Sequence, residues 1–554
     1  MIKNVKLSLL AMVLMVFGVS VFAQDSKKSS NNNWHLKDRT DGYYGISLNK
    51  AYELVKGKKS QTIVVAVIDS GIDTTHEDLR PVLWVNPKEI PGNGIDDDGN
   101  GYIDDVNGWN FIGGKDGRNV KEDSYEAARF YHMYKEKFQD LSSPDALSEE
   151  DKKLYSDWLR AKKDVSKGSD PNELFFIKRL HPILVKGDSI IAADLNKKEY
   201  SGNDLKTYTA THPDAITTRE IILNICENNN NNFDITNRQI IEDIEGELRR
   251  AEAADQPPFP YRAEIVKDNP DDINDKFYGN NDIMANTPLH GTHVSGIIAA
   301  VRNNGKGGDG VADNVRLMTI RAVPDGDEHD KDVALAIRYA VDNGAKIINM
   351  SFGKYYSPQK HWVDDAIKYA ESKGVLLVAA AGNEGILADS MPHFPNPILN
   401  DNRKVNNWIM VGASGDPSNG DLVASFSNYG KNEVDVFAPG VNIYATVPGG
   451  NKYGNLSGTS MASPVTAGLA AMIWSYFPEL TAQQVKEVIE KSTVAPDIQV
   501  TKPKSGEKVD LSEISKTGGV INAYEAVKLA AKMSGQSIKE PAKPKVKVKK
   551  KKKS

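Results

Sequence analysis

Apolar residues follow two spacings along this chain, and each spacing predicts a different element. Four short runs are rich in β-branched and other apolar residues, which is typical of buried strands in a parallel sheet; they cover residues 63–68, 315–320, 345–350 and 375–380. Residues 332–343 and 362–373 carry an apolar residue every three or four positions, as amphipathic helices do. Strand and helix alternate, so the sequence predicts an α/β fold with a doubly wound, mostly parallel sheet in three αβα layers.

Residues 115–270 have a different pattern, in which many charged residues are interleaved with apolar residues at helical spacing. Four stretches favour helices: 122–138, 148–163, 217–227 and 236–254. Five consecutive asparagines at 228–232 interrupt them. We interpret residues 115–270 as a mostly helical insertion domain. A lid, a docking module and an internal inhibitor all fit this pattern.

The two ends of the chain carry patterns that are not those of a packed core. Two lysines precede an apolar run at 7–23, which predicts a secretory signal peptide cleaved near Ala23, so that residues 1–23 are removed. We therefore expect a secreted or periplasmic protein, although an uncleaved membrane anchor has a similar pattern. Residues 533–554 end in a tail with eight lysines and no acid, which favours disorder. That tail is either solvated or in contact with an anionic surface.

Charge and cysteine content narrow the class of protein. The formal net charge of −6 argues against a specific nucleic-acid binder, the lysine tail excepted. Cys226 is the single cysteine, so no disulfide can form within the chain. A secreted protein without disulfides depends on its core or on bound metal for stability. Cys226 ends an apolar run at 221–226, which predicts a buried apolar side chain and not a nucleophile.

Three reactive side chains stand at the ends of predicted elements. Asp69 follows the run at 63–68, and the carboxyl end of a central strand is where open α/β sheets form their sites. His290 begins a segment of small and apolar residues. Ser460 precedes an Ala-rich apolar run, so we expect it at a helix N-terminus, where backbone N–H groups stabilise an oxyanion. Taken alone, a serine in that place is more often an N-cap.

The three stretches read VIDSGID, HGTHVSG and GTSMASP, in that order. Together they resemble the active-site signatures of the subtilisin-like serine proteases, over about residues 34–112 and 276–530. The resemblance implies the roles of the triad: Ser460 is the nucleophile, His290 the general base and then acid, and Asp69 the residue that orients the imidazole. His293 is expected to be a structural histidine.

The resemblance also implies domain organisation and function. Residues 24–114 and 271–532 are expected to form a subtilisin-type catalytic domain interrupted by the insertion. The short distance from Ala23 to Asp69 leads us to expect that the prodomain of many family members is missing. We expect a secreted serine endopeptidase that hydrolyses polypeptides through an acyl-enzyme. The alternative is a latent or non-catalytic protein of the same fold, gated by the helical insertion.

Further stretches match the family. Residues 380–385 read AAGNEG and imply that Asn383 donates to the oxyanion, a role for which subtilisin itself is the reference case. The segment Ser351-Phe352-Gly353 implies the strand that pairs with substrate backbone before the scissile bond, with Gly353 allowing close approach and Phe352 lining an apolar subsite. The acidic run at 325–330 falls at the wall of a more distant subsite, and one hypothesis is that it favours basic residues there.

An acidic loop at residues 93–105 predicts a structural calcium site. Oxygen ligands recur at alternate positions, as in the first half of an EF-hand loop; the predicted ligands are Asp96, Asp98, Asn100, the carbonyl of Tyr102, and Asp104. The distal bidentate glutamate is absent, so residues from elsewhere would complete the site. The alternative is a solvated acidic turn.

Overall fold

The structure is a computed structural model of the chain, and it describes residues 32–141, 143–167, 171–228, 233, 235–286 and 288–538. The predicted signal peptide, most of the asparagine run and the lysine tail lie outside these described residues. Within the described ranges, no helix combines the length and apolar character needed to cross a membrane.

Seven parallel strands form the central sheet: β1 (Ile63–Asp69), β2 (Gly108–Asn110), β3 (Val315–Arg321), β4 (Ile347–Met350), β5 (Leu376–Ala380), β6 (Trp408–Ser414) and β7 (Val436–Pro439). Their order is β2-β3-β1-β4-β5-β6-β7. The chain adds β3 on one side of β1 and β4 on the other, so β1 lies where the strand order changes direction. Two antiparallel pairs lie outside this sheet: β8 (Ile443–Val447) with β9 (Lys452–Leu456), and β10 (Val500–Thr501) with β11 (Lys508–Val509).

The helices of eight or more residues are α1 (Leu48–Val55), α2 (Glu126–Phe138), α3 (Glu149–Lys167), α4 (Pro171–Leu195), α6 (Pro213–Asn228), α7 (Asn237–Glu252), α9 (Leu289–Ala299), α10 (Asp330–Asp342), α11 (Lys360–Ser372), α12 (Thr459–Tyr476), α13 (Ala482–Lys491) and α15 (Ala523–Met533). Three shorter helices are α5 (Gly202–Thr207), α8 (Tyr261–Ile265) and α14 (Leu511–Ile514).

Both faces of the sheet are buried under helices. Along β1, Val65 and Val67 pack into one apolar cluster with α1, α9, α12, α13 and α15, whereas Ala66 and Ile68 pack into another with α10 and α11. Because successive side chains of a strand point to opposite faces, a strand buried on both faces is apolar throughout. This is why β1 has no polar alternation, and the predicted doubly wound sheet in three layers is confirmed.

The stretch between β2 and α9 contains α2 to α8, which we call the helical segment (residues 126–265). Helices α2 and α3 enclose one apolar cluster that includes Phe138 and Trp158, and α4, α6 and α7 enclose another that includes Cys226. The four predicted helices are present within a few residues. Helix α4, the longest in this segment, was not predicted, because Pro182 inside it is typical of a helix break. Cys226 is fully buried, as expected.

Candidate active site

The predicted catalytic residues meet at one edge of the sheet. Asp69 is the last residue of β1, Ser351 follows β4 and Asn383 follows β5, and these three strands are parallel neighbours. Since the carboxyl ends of parallel strands meet at the same edge, the three side chains lie together. Helices α9 and α12 pack against each other and begin at this edge with His290 and Ser460 as their second residues.

Asp69 and His290 are joined by a hydrogen bond in which Nδ1 of the imidazole and Oδ1 of the carboxylate are 2.8 Å apart. The backbone N–H of Ser70 donates to the same Oδ1 over 2.7 Å. Asp69 is buried, whereas 39% of the His290 side chain is exposed. With Nδ1 as the donor, Nε2 is the ring atom that can accept a proton.

The charge of Asp69 sets the proton affinity of His290. Burial lowers the pKa of the imidazole, but the attraction to the Asp69 carboxylate and the hydrogen bond to it outweigh burial and leave the pKa raised. Asp69 therefore both fixes the orientation of the His290 ring and raises the proton affinity of its imidazole.

The glycine after His290 determines how closely α9 approaches β1. A Cβ atom at Gly291 would lie 2.1 Å from the carbonyl oxygen of Gly71 and 3.2 Å from Cβ of Asp69. Any larger residue would push α9 away from the strand end and lengthen the contact between His290 and Asp69. The glycine of the HGTHVSG stretch is thus a packing requirement of this pair.

Ser460 is not the N-cap of its helix. Gly458 occupies the N-cap position of α12 and makes no side-chain cap, so the alternative role for Ser460 is wrong. Oγ of Ser460 donates to the carbonyl oxygen of Ser351 over 3.1 Å, and Oγ of Ser351 donates to the carbonyl oxygen of Ser460 over 2.9 Å. These two hydrogen bonds fix the N-terminus of α12 to the end of β4.

The amide of Asn383 has a defined orientation. Its Oδ1 accepts hydrogen bonds from the backbone N–H and the hydroxyl of Thr459, over 2.8 and 2.9 Å. Because Oδ1 is occupied, Nδ2 is the end of the amide that remains available, and it lies 3.5 Å from the position that a Cβ of Gly458 would take. Nδ2 of Asn383 thus lies beside the N-terminus of α12, where a side-chain amide is able to donate to an oxyanion.

The segment Ser351-Phe352-Gly353 runs beside these groups. Among the described residues, no hydrogen bond reaches the backbone of Phe352 or Gly353, and both residues are half-buried. A Cβ at Gly353 would lie 2.3 Å from ring atoms of His393, so this glycine accommodates a side chain of the protein itself. Sequence reasoning did not single out His393, since no motif marks it.

His293 is a structural histidine, as predicted. It is fully buried, and its Nε2 lies 2.9 Å from the carbonyl oxygen of Ile443 and 3.2 Å from that of Gly454. Burial lowers its pKa to about 4, so the ring stays neutral at the pH where His290 titrates.

The acidic loop brings together only part of the predicted ligand set. Carboxylate oxygens of Asp96 and Asp98 lie within 4.8 Å of each other and of one from Glu89, which lies before the loop and was missed. Asp104 instead accepts from backbone N–H groups of the loop itself, and Oδ1 of Asn100 accepts from the N–H of Tyr102.

The Glu89 carboxyl group is the most enclosed of the three carboxylates in this cluster. Its side chain is buried, and Oε1 accepts from the backbone N–H groups of Asp97 and Asp98 over 3.1 and 3.3 Å. Among the described residues, Oε2 has no hydrogen-bond partner. A buried carboxylate oxygen without a partner, near two other carboxylates, is costly unless a cation neutralises it.

The hypothesis that the run at 325–330 favours basic substrate residues is not supported. Asp325 lies 3.0 Å from Nη2 of Arg249, and Asp330 lies 2.9 Å from Nζ of Lys354. Asp330 is buried, as is Glu328 between them. Most of these acids are therefore paired with cations of this chain or enclosed, and they do not form an open acidic wall.

Comparison with protein families gives one match that covers most of the chain. A model described as the subtilase family matches residues 60–519. The thermophilic serine proteinase of Bacillus sp. strain AK1 is 45% identical over 187 residues, which are 34% of this chain and 42% of that protein. Thermitase of Thermoactinomyces vulgaris is 36% identical over 274 residues, which are 47% of this chain and 85% of thermitase.

Coverage of the relatives is uneven. The cell wall-associated protease of Bacillus subtilis is 36% identical over 256 residues, which are 45% of this chain and 26% of that protein. The chain thus spans less than half the length of two of the three relatives. Among solved structures, a protease from Pseudoalteromonas arctica has 19% identity and a TM-score of 0.45, over 91% of this chain and 100% of that one.

Proposed function

We propose that this chain, because it belongs to the subtilase family, is a serine-type endopeptidase that hydrolyses peptide bonds through an acyl-enzyme intermediate. The observation that carries the proposal is the 2.8 Å hydrogen bond between buried Asp69 and half-exposed His290, at the sheet edge where α12 presents Ser460. A non-catalytic protein of this fold is not favoured, since it would have no need for these residues together.

In the proposed reaction, Ser460 Oγ exchanges its hydrogen bond with Ser351 for one with Nε2 of His290. Oγ attacks the carbonyl carbon of the scissile bond while its proton passes to Nε2, and the electron pair of the carbonyl moves onto oxygen beside Nδ2 of Asn383. His290 then gives the proton to the leaving amine as the C–N bond breaks. Water then attacks the ester carbonyl while His290 takes its proton, and His290 returns that proton to Oγ as the C–O bond to Ser460 breaks.

Substrate binding is proposed at the segment 351–353. A polypeptide laid along it as an added strand would use the unpaired backbone groups of Phe352 and Gly353 and place its scissile carbonyl between Ser460 and Asn383. The neighbourhood of Phe352 and His393 makes the adjoining subsite partly aromatic. Polypeptides are therefore the substrate class.

The test is labelling of the purified protein with a fluorophosphonate, together with hydrolysis of an unfolded protein substrate. Wild type should label and hydrolyse, and Ser460→Ala should do neither. Ser463→Ala is the matched control, because Ser463 lies one turn further along α12 and its hydroxyl is bound to Asn349, so this variant should still label. A folded wild-type protein that neither labels nor hydrolyses would overturn the proposal.

We further propose that Glu89, Asp96 and Asp98 hold a structural calcium ion. Bound calcium would supply the charge that offsets their mutual repulsion, and the unpartnered Oε2 of Glu89 supports this set. Calcium at about 100 times its dissociation constant should stabilise the fold by about 2.7 kcal/mol. Thermal unfolding with calcium and with chelator should show this shift in wild type and lose it in Glu89→Gln, whereas Asp145→Asn on the surface should keep it. Equal shifts in all three proteins would contradict the site.

We also propose the limits of the domains and the location of the protein. Residues 24–114 and 271–532 are proposed as the catalytic domain, 115–270 as an insertion, and 533–554 as a lysine-rich tail. A secreted protein cleaved near Ala23 is consistent with the protease relatives, one of which is named as cell wall-associated. N-terminal sequencing of the exported protein tests the cleavage site.

A further inference from the structure

We propose that helices α2 and α3 of the helical segment position the substrate-binding segment 351–353, and that Arg160 and Lys354 are the positioning residues. This inference rests on the proposed function, because it assigns a partner to the segment that pairs with substrate. The contact is made by residues 354–356, which we call the docking stretch and which directly follow Gly353.

Lys354 is the first contact between the two parts. Its Nζ donates to Oε2 of Glu126, the first residue of α2, over 2.6 Å, and it lies 2.9 Å from Oδ1 of Asp330 in α10. Arg129, one turn along α2, donates to the same Oε2 over 2.8 Å and to the carbonyl oxygen of Glu328. Lys354 and Glu126 are both buried. One lysine of the core is thus enclosed by carboxylates from both sides of the contact between the docking stretch and helices α2 and α3, which we call the junction.

The next two residues are held by α3. Nη2 of Arg160 donates to the carbonyl oxygen of Tyr355 over 2.9 Å, and the guanidinium lies 4.6 Å from the ring centre of Tyr356. The hydroxyl of Tyr356 donates to Asp164 over 2.6 Å, and its ring packs 5.5 Å from that of Phe130. Tyr356 belongs to the apolar cluster enclosed by α2 and α3, so it is a core residue of the helical segment.

The docking stretch in turn contacts the candidate active site. The hydroxyl of Tyr355 donates to the carboxylate of Glu384, the residue after Asn383. Its ring meets His393 edge to face at 5.8 Å, and His393 is the side chain packed on Gly353. Backbone hydrogen bonds in both directions join Lys354 to Phe394 over 2.8 and 2.9 Å. Movement of the docking stretch would therefore move both the segment 351–353 and the loop that carries Asn383.

These contacts are those of a fixed support. Opening the junction would expose Tyr356 and leave the charges of Lys354 and Glu126 buried without each other, or would require their hydration. Both changes are unfavourable. A helical segment attached in this way holds the backbone of residues 351–353 at a constant distance from Ser460. Removing the helical segment would therefore disorder residues 351–353 rather than uncover them.

The test compares a long and a short substrate in Arg160→Met. A tetrapeptide anilide occupies the segment 351–353, whereas a small acetate ester reaches only Ser460. We expect KM for the peptide to rise about 3–10-fold, because a loosened strand binds backbone less well, with kcat for the ester within about 2-fold of wild type. Arg160→Lys, which keeps the charge, should restore part of the peptide KM.

Lys137→Met is the control variant, because Lys137 pairs with Asp151 between the same two helices but on their exposed side. It should leave both substrates unchanged. Equal loss on both substrates in Arg160→Met, or no change in peptide KM, would overturn the inference. If Arg160→Met does not fold, Tyr356→Phe, which keeps the ring but loses the hydroxyl that donates to Asp164, should raise peptide KM in the same selective way. Failure of the proposed function is distinguishable, since the wild type would then not react with fluorophosphonate.

Discussion

The sheet edge and the junction with the helical segment each contain a buried carboxylate paired with a cationic or protonatable partner, but the partners differ in exposure. Asp69 is buried against His290, of which 39% of the side chain is exposed. Glu126 is buried against Lys354, of which only 2% of the side chain is exposed. A partner that reaches solvent can gain and lose a proton during a reaction, whereas an enclosed partner keeps its charge.

The pKa shifts follow the same division. At the junction, burial alone would raise the pKa of Glu126, but Arg129 and Lys354 overcome burial and hold it below its usual range. At the sheet edge, burial alone would lower the pKa of His290, but the charge of Asp69 and its hydrogen bond overcome burial and leave that pKa raised. We therefore expect a buried carboxylate to serve proton transfer at the sheet edge and to fix geometry at the junction. Replacing members of the two pairs one at a time tests this comparison.

The largest effect is expected for Asp69→Asn. Loss of the carboxylate removes the group that orients His290, and activity should fall by about 10⁴-fold, as it does when the triad aspartate is replaced in this way. The fall of the remaining kcat/KM on the acid side of the pH profile should occur at a lower pH than in wild type, because the charge that raises the His290 pKa is gone. The pH dependence of kcat/KM measures both effects. Glu126→Gln is the matched control and should leave the acid-side fall in kcat/KM at the wild-type pH. If this fall moved equally in both variants, the two carboxylates would not differ in the way proposed.

The next largest effect is on stability, in Lys354→Met. Removing the cation leaves Glu126 and Asp330 buried without their shared partner, and loss of one member of a buried pair costs about 3–5 kcal/mol of unfolding free energy. Lys137→Met, in an exposed pair with Asp151, should cost less than about 1 kcal/mol. Urea unfolding of the two variants measures the difference. Equal small losses would show that the junction is no more stabilising than a surface contact.

A smaller effect on catalysis is expected for Asn383→Ala. The variant loses the Nδ2 donor but keeps the triad, so kcat should fall by about 10²–10³-fold with little change in KM, the range measured when the corresponding asparagine of subtilisin is removed. Steady-state kinetics on a peptide anilide separate the two constants. A rise in KM at constant kcat would show instead that Asn383 binds the ground state.

The sequence predicted the sheet and its edge because their signals are local. The run at 63–68 is apolar on both faces, and the three stretches around Asp69, His290 and Ser460 each combine a reactive side chain with the small residues that its packing needs. Gly291, for example, is required because a Cβ atom there would lie 2.1 Å from the carbonyl oxygen of Gly71. Such signals are contained in a few neighbouring positions.

What could not be predicted depends on partners far apart in the chain. Lys354 and Glu126 are separated by more than two hundred residues, and neither stands in a distinctive pattern. Helix α4 was missed because Pro182 stands inside it, and a proline is typical of a helix break. Glu89 is a different case, because it lies only a few residues before the acidic loop but stands outside the alternating pattern from which the ligands were predicted. Periodicity identifies helices, but not which buried charges they bring together.

The smallest expected effect concerns Glu328, which is buried beside the junction. Burial, followed by the charge of Asp327, raises its pKa to about 8, against the opposing charges of Lys354 and Arg129. The folded state therefore holds a proton that the unfolded state releases above its ordinary pKa, so this carboxyl group makes stability fall as pH rises from about 4.5 toward 8.

Glu328→Gln tests this titration, because the variant keeps a neutral group where the wild-type carboxyl group becomes charged as pH rises. Between pH 6 and pH 9 the variant should gain on the order of 2 kcal/mol of unfolding free energy relative to wild type, with little further change above that pH. Urea unfolding across this range measures the gain. Parallel profiles for the two proteins would mean that Glu328 is already ionised in the fold and that Lys354 neutralises it, as it does Glu126. The enclosed junction would then contain three carboxylates around one lysine, those of Glu126, Asp330 and Glu328, and its contrast with the pair at the sheet edge would be greater still.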